Sequence, residues 1–378
     1  MSGAAGTQST YINLGSGDPA PWFRQRTSGG EHIFLDKMAG RYVVLCFFLS
    51  ASDQVGTGAL EAAEARRALF DDRKVSFFGV SADQSDESSG RLREYLPGFR
   101  HFLDFDANIC RAYGGVPRET APGKAPVRRF WLVLDPMLRV LKVLPFAQDG
   151  SDRIEIFRFI ESLPPVELFA GVELQAPVLF LPRIFEPEFC RRLVALYQEH
   201  GGTESGFMRE RDGKTVLVTD PLHKRRKDYN IEDEALIEEA KRRIARRIVP
   251  EIAKAYQFQV TRIERFIVAC YSADDGGHFN AHRDNTTKGT AHRRFAVSLN
   301  LNDDYDGGEI RFPEFGPKGF RPPPGAAVVF SCSLLHAANR VTRGERYVFL
   351  PFLYDEAASA IREQNNRFLD PAVGQYRA

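Results

Sequence analysis

Half of the eight histidines in this chain fall between His278 and His336, and that is where residues able to hold a metal gather. The segment GGHFNAHRDN contains His282-Arg283-Asp284. On a strand, residues i and i+2 project to the same side, so a His and an Asp at this spacing can reach one ion. His336, in CSLLHAANRV just after the apolar run AAVVFS, is the candidate third ligand. Two histidines and one carboxylate with open coordination positions is the pattern of non-haem Fe(II) oxygenases. Ten residues later Arg346, in VTRGERYVF, opens a strand from which a guanidinium can be aimed into a barrel. A buried arginine needs an anionic partner, and the far carboxylate of 2-oxoglutarate suits a bidentate pair. An isolated H-x-D is a weak signal. The register of H-x-D, His and Arg together is far more specific.

Such a constellation requires a scaffold of short strands. From Ile263 to Tyr354 the pattern is short β runs (FIVACY, FAVSLNL, EIRF, AAVVFS, RYVFLPFLY) separated by Gly, Pro, Asn and Asp, which predicts a sandwich, barrel or jelly roll. Ahead of it stand the short run Val178–Leu181 and a helix starting near Pro187 with Phe189, Leu193 and Leu196 on one face. Residues 201–230 read as an exposed loop or hairpin. Asp233–Phe258 reads as a long amphipathic helix with Ile237, Ile244, Ile248 and Ile252 on one stripe, broken or kinked at Pro250. His278 precedes His282 by four residues, but its Gly-Gly flank excludes a helical metal pair, so it reads as pocket-lining or solvated. His292 reads as a surface residue. The cluster Lys241–Arg247 reads as a solvated helix face, and the run His223–Lys227 (HKRRK) as a candidate for substrate contact.

Residues 1–165 alternate strands and helices: Tyr42–Phe48, a helix over Gly58–Phe70, Lys74–Val80, a helix including Ser89–Tyr95, the strand pair Phe130–Leu134 and Val140–Leu144, and a helix over Asp152–Leu163 with Ile154, Phe157 and Ile160 on one stripe. That alternation predicts a mixed sheet covered on both faces. Pro164-Pro165 cannot continue the helix, and the aperiodic stretch 166–177 reads as a linker.

Two resemblances follow from these motifs. VACYSADDGGHFNAHRDN, VSLNLND followed by YDGGEIRF, PPPGAAVVFSCSLLHAANRVTRGER and VLFLPRIFEPEFC resemble the prolyl 4-hydroxylase-type Fe(II)/2-oxoglutarate dioxygenases, over about 180 residues from Val178 to Glu356. The resemblance implies a double-stranded β-helix (jelly roll) with flanking helices in 178–378, its core at 262–355. It implies His282, Asp284 and His336 as iron ligands, Arg346 as the clamp on 2-oxoglutarate, and Tyr271 as a hydrogen-bond donor beside that co-substrate. Asn300 stands where many relatives carry a Tyr lining the same pocket. Fe(II), 2-oxoglutarate and O2 are the implied cofactors and co-substrates, with ascorbate supporting activity. The implied reaction is hydroxylation of an aliphatic carbon, most simply on a prolyl or other residue of a peptide or protein, or on a free amino acid or small metabolite, with release of succinate and CO2. A non-catalytic 2-oxoglutarate or oxygen sensor, or a scaffold, is the alternative reading.

Residues 10–165 resemble the peroxiredoxin branch of the thioredoxin-like fold, through YVVLCFFLSASDQVGTGALEA, FFGVSADQ, FLDFDANICRAYGG and VRRFWLVLDP. Arg129 matches the family's arginine. The nucleophile does not match: the alignment puts Leu49 at the family's Pro, Asp53 at its Thr and Gly56 at its peroxidatic Cys. A peroxidase needs a thiolate stabilised at a helix start. The resemblance therefore implies a peroxidase-inactive unit that binds a partner, positions substrate or forms a homodimer, and a thiol peroxidase is the least favoured reading.

Composition sets the outer limits. Lys+Arg 51 against Asp+Glu 50 gives a net charge of +1, which disfavours a nucleic-acid binder driven by a global basic field. The longest apolar run, Tyr42 to Leu49, has the length of a strand and not of a membrane span. MSGAAGTQST has no basic region followed by an apolar core, and the five scattered cysteines form no C-x-x-C pair. Together these predict a cytoplasmic protein without a disulfide framework.

Overall fold

A computed structural model of the chain describes residues 10–119 and 126–374; the N-terminal stretch read above for a leader lies almost wholly outside them. The chain divides into two compact units, residues 1–174 with 313–316, and residues 175–312 with 317–378.

The first unit is built on a five-stranded sheet. Its strands run in the order Phe99–Leu103, Val75–Ser81, Tyr42–Leu49, Phe130–Leu134, Val140–Pro145. The first three are parallel and the last two antiparallel to their neighbours. All eight residues of Tyr42–Leu49 and all seven of Val75–Ser81 are buried, as central strands covered on both faces must be. This is the thioredoxin-like arrangement. One face carries the helices Gln54–Glu64 and Ser151–Glu161, packed through Ala59, Ala63, Ile156, Phe157 and Ile160. Two sequence expectations fail here. Ile154 is 62% exposed, and Ile156 takes its place on the buried stripe. Ser89–Tyr95 is not helical; the helix is Gln84–Ser88, begun by Asp83, whose side chain accepts from the Ser85 amide, and stopped by Gly90 at φ +64°.

The second unit carries two sheets that matter for function. In the larger, the strands Ile267–Ser272, Glu345–Phe349 and Phe295–Asn300 lie side by side, with Ala327–Ser331 beyond them. Alternation along these strands sends Val268, Cys270, Val297, Leu299 and Phe349 outward. There they meet Leu193 and Tyr197 of the helix Pro187–His200, and Ile244, Ile248 and Ile252 of Glu234–Arg247 and Val249–Tyr256. Each fully buried aliphatic side chain contributes roughly 1.5–3 kcal/mol, so this helical backing is what holds the sheet. The long helix breaks at Ile248, leaving Pro250 in the first turn of the second segment, where its missing N–H costs nothing. The opposite face presents Ile267, Ala269, Tyr271 and Val348 to the interior. The smaller sheet runs Lys224–Arg225, His278–His282, His336–Ala338, Ile310–Arg311, Gly319–Phe320. Two facing antiparallel sheets with helices on one outer face form the double-stranded β-helix. Phe207–Arg211 and Lys214–Val218 form the hairpin expected within 201–230. Among the described residues no helix is long and apolar enough to cross a membrane, and all five cysteines are buried and free.

Candidate metal centre

The smaller sheet positions the metal donors. His282 and His336 are direct cross-strand partners, with a register shift between Phe279 and His282 that re-aims the second half of that strand. Asp284 follows the strand, its amide donating to the Cys332 carbonyl at 2.9 Å. The Asp284 carboxylate lies 3.6 Å from His282 Nε2 and 3.4 Å from His336 Nε2, and all three donor atoms fall within 4.8 Å of one another. Ligands about 2.1 Å from one ion need spacings of this order.

Both imidazoles are preset for a metal. His282 Nδ1 is 2.7 Å from the Asn280 carbonyl and His336 Nδ1 is 3.0 Å from the Leu334 carbonyl. A carbonyl oxygen only accepts, so Nδ1 carries the proton in each ring and the lone pair sits on Nε2. The His282 ring stacks on Phe279 at 3.5 Å, and the His336 ring packs on Phe330 at 4.7 Å. Burial, reinforced by His336, pushes the His282 pKa down to about 3, so the ring is neutral at physiological pH. Burial alone would raise Asp284; the neighbouring His336 and His282 hold it below the usual carboxylate range. Two imidazoles presenting Nε2 and one carboxylate fit Fe(II) with open positions.

The larger sheet supplies the second half of the site. Arg346 is 2% exposed. It pairs across the ladder with Tyr271, and its guanidinium carbon lies 5.5 Å from that ring. Its Nε and Nη2 donate to Asn300 Oδ1 at 3.2 and 2.9 Å, and Nη2 also donates to Ser298 Oγ at 2.9 Å. Among the described residues no carboxylate pairs with it. Asn300 therefore sits in the pocket as Arg346's neutral acceptor, while its own Nδ2 donates to Tyr305 Oη at 2.7 Å and to the Pro322 carbonyl at 2.8 Å. Gly308 lies against the clamp: a Cβ there would meet the Arg346 Cδ at 3.0 Å.

Sequence reasoning missed the support behind Tyr271. Arg226, 6% exposed, donates from Nη1 to Tyr271 Oη at 3.4 Å. It is locked by Asp228, which accepts from Nε and Nη2 at 2.7 Å each. Asp228 lies on Lys227–Asn230, beside Ile267–Ser272 in the sheet, and Arg226 immediately precedes that strand; the HKRRK run hid it among surface-looking charges. His292 corrects a second expectation. It is 1% exposed, with Nε2 3.1 Å from Glu264. Glu264 also pairs with Arg293 and Arg362, both at 2.8 Å, so this histidine belongs to a buried charge cluster and not to the surface. His278 is buried, with its Nδ1 2.8 Å from the Gly276 carbonyl, and lines a groove as expected.

In the first unit Arg129 Nη1 donates to Asp53 Oδ1 at 2.9 Å. Asp53 also caps the helix Gln54–Glu64 by accepting from the Gly56 amide. A Cβ on Gly56 would lie 1.8 Å from the Ser50 carbonyl oxygen. The helix start that would hold a peroxidatic thiolate thus holds a carboxylate, on a backbone with no room for a side chain at Gly56.

Residues 266–354 match the 2OG-Fe(II) oxygenase superfamily, and residues 16–139 match the AhpC/TSA family. The chain thus joins an AhpC/TSA unit to a 2OG-Fe(II) oxygenase unit, and the cofactors of the latter are Fe(II), 2-oxoglutarate and O2. A PKHD-type hydroxylase of Pseudomonas fluorescens strain Pf0-1 is 37% identical over 112 residues, covering 27% of this chain and 47% of the relative. One from Synechococcus strain JA-3-3Ab is 30% identical over 112 residues, covering 28% and 47%. The chain therefore spans about half the length of these curated relatives. Among solved structures, a prolyl hydroxylase from Trichoplax adhaerens in complex with a hypoxia-inducible-factor peptide is 15% identical, covering 55% of this chain and 95% of that one, with a TM-score of 0.40. The bacterioferritin comigratory protein of Xanthomonas campestris is 21% identical, covering 37% and 90%, with a TM-score of 0.31.

Proposed function

We propose that this chain is an Fe(II)- and 2-oxoglutarate-dependent dioxygenase that hydroxylates an aliphatic carbon on a prolyl or other residue of a peptide or protein, releasing succinate and CO2. One observation carries the reading: three metal donors within 4.8 Å at the smaller sheet, and, among the described residues, a buried guanidinium without a carboxylate partner on the facing one. A non-catalytic scaffold has no chemical need for both.

His282, Asp284 and His336 would hold the metal, which when bound supplies oxygen activation coupled to decarboxylation of 2-oxoglutarate. Arg346 binds the far carboxylate, and its present hold on Asn300 and Ser298 keeps the guanidinium oriented before that ligand arrives. Tyr271 adds a donor: because Arg226 donates to its oxygen, the phenolic proton is left for the carboxylate. Phe279 and Phe330 pack on the two imidazoles and keep bulk water from that side of the ligands.

The same reading takes 178–378 as the dioxygenase domain, 166–177 as a linker and 1–165 as a peroxidase-inactive redoxin-like domain. The Asp53–Arg129 pair and the closed space at Gly56 support the last. Purified protein with Fe(II) and ascorbate is expected to bind 2-oxoglutarate by calorimetry and to release succinate slowly even without its prime substrate. Absence of 2-oxoglutarate binding in metal-loaded protein would sink the proposal.

A further inference from the structure

Among the described residues Lys224 is the only buried lysine, at 4% exposure. It belongs to the two-residue strand Lys224–Arg225, which pairs with the start of His278–His282. Side chains alternate along a strand, so Arg225 faces out and Lys224 faces in. Its direct partner in the ladder is Phe279, and the two side chains share the inner face. Lys224 Nζ lies 4.9 Å from the centre of the Phe279 ring, a distance at which an ammonium is attracted to an aromatic face. That same ring stacks on His282 at 3.5 Å, with 20° between the planes.

Among the described residues no carboxylate pairs with this ammonium. It donates instead to Ser205 Oγ at 2.7 Å and to the Gly206 carbonyl at 2.6 Å. Ser205 Oγ also accepts from Arg226 Nη2 at 3.1 Å and donates to Asp228 Oδ2 at 2.5 Å. One serine hydroxyl thus joins Lys224 to the Arg226–Asp228 pair that supports Tyr271. Burial, with Arg226 nearby, pushes the Lys224 pKa down, so a lysine here costs folding free energy. What its contacts hold is a ring that orients a metal ligand and a hydroxyl that reaches the co-substrate pocket.

We propose that Lys224 is a positioning residue: through Phe279 it fixes the plane of the His282 imidazole, and through Ser205 it ties that ligand to the group supporting Tyr271. This inference rests on the dioxygenase reading and deepens it. The hydrogen bond at His282 Nδ1 sets the tautomer but leaves the ring able to tilt; a flat neighbour stacked on it removes that freedom. Phe279 is itself held by its surroundings, with Phe207 at 6.3 Å, His223 edge-on at 5.5 Å and the Lys224 ammonium.

The test uses the full chain and Co(II), a divalent probe whose visible spectrum reports ligand geometry. Lys224→Met keeps the length and the apolar stem and removes the charge and both donated bonds. It is expected to bind Co(II) about tenfold more weakly than the wild type, with a changed visible spectrum at saturating metal. Urea unfolding is expected to show equal or higher stability, since a buried charge is gone. Removing a positive charge cannot by itself weaken the binding of a cation, so lost affinity in a stably folded variant reports positioning. Phe279→Leu is expected to give a similar loss, and the double variant little more, because both act on one ring. Ser205→Ala removes a single hydroxyl and keeps the proposal testable should the methionine variant unfold. It is expected to weaken Co(II) and 2-oxoglutarate binding by about threefold each. Unchanged or tighter Co(II) binding in Lys224→Met, a spectrum identical to the wild type, fully additive losses in the double variant, or wild-type binding by Ser205→Ala would overturn the assignment. Calorimetry on the wild type separates the two failures: absence of Co(II)-dependent 2-oxoglutarate binding sinks the dioxygenase reading, whereas its presence beside an unaltered Lys224→Met variant sinks only the role of Lys224.

Discussion

Arg346 sets the energetics at the scale of single residues. A guanidinium buried with two neutral acceptors is desolvated without an opposing charge, and an incoming carboxylate relieves that state. Arg346→Gln keeps the hydrogen-bonding shape and removes the charge. It is expected to weaken 2-oxoglutarate by about 2–5 kcal/mol, read by calorimetry, with metal content unchanged. His282→Ala is expected to do the reverse first: iron retained after desalting falls, and co-substrate binding fails as a consequence. Tyr271→Phe removes one donor and is expected to cost about 1 kcal/mol, seen as a several-fold rise in the KM for 2-oxoglutarate with little change in kcat. The donors were legible in the sequence because the H-x-D spacing holds His282 and Asp284 close together, and Arg346 follows His336 by ten residues, on the facing sheet. Arg226, Asp228 and His292 were not, because their partners Tyr271 and Glu264 are brought near only by tertiary structure, and a polar string such as AHRR looks the same on a surface or around a buried carboxylate.

At the scale of elements, the informative case is the helix Gln54–Glu64. Its start keeps the geometry of an anion site, but the anion is the Asp53 carboxylate, held by Arg129 and by the Gly56 amide. Restoring the thiol alone is therefore not expected to restore a peroxidase. In Gly56→Cys the new Cβ meets the Ser50 carbonyl oxygen at 1.8 Å, which backbone movement must relieve. The variant is expected to lose at least about 1–3 kcal/mol of stability in urea unfolding and to consume no peroxide with a thiol reductant. Asp53→Ala should cost about 1 kcal/mol through the lost cap. The elements themselves were largely legible, since continuous apolar runs mark buried strands, Pro187 marks a helix start and Pro250 a break in the long helix. The helix Gln84–Ser88 was displaced in the reading because its anchor is tertiary: the buried Asp86 carboxylate accepts from the Ala51 amide at 2.9 Å and from Ser81 Oγ at 2.7 Å. No local pattern encodes that tie. The same holds for Ile154 and Ile156, two residues apart and both apolar, where only the sheet decides which one faces in.

On the scale of the whole molecule, the two units carry separate cores, and the response of the first to acid can be argued from one residue. His101 is 2% exposed, enclosed by Phe48, Phe77 and Phe99, with Nε2 3.0 Å from the Arg93 carbonyl and no partner for Nδ1. Burial pushes its pKa down from 6.5 to about 4. Above pH 6.5 the ring is neutral in both folded and unfolded chains, so it contributes no pH dependence. Between pH 6.5 and 4 the unfolded chain takes up a proton that the folded unit refuses, so stability falls as pH falls; below pH 4 both forms are protonated and the loss is complete. The difference amounts to about 3 kcal/mol, a large share of a typical domain's stability. His101→Phe retains an aromatic ring among the three phenylalanines and cannot be protonated. Urea unfolding of both proteins at pH 7 and pH 4.5, followed by Trp131 fluorescence, is the measurement. The wild type is expected to lose about 2–3 kcal/mol more than the variant over that interval, whatever the carboxylates common to both contribute. Equal losses would mean that water or a local opening reaches the ring, and that the first unit is looser around Phe99–Leu103 than its packing implies.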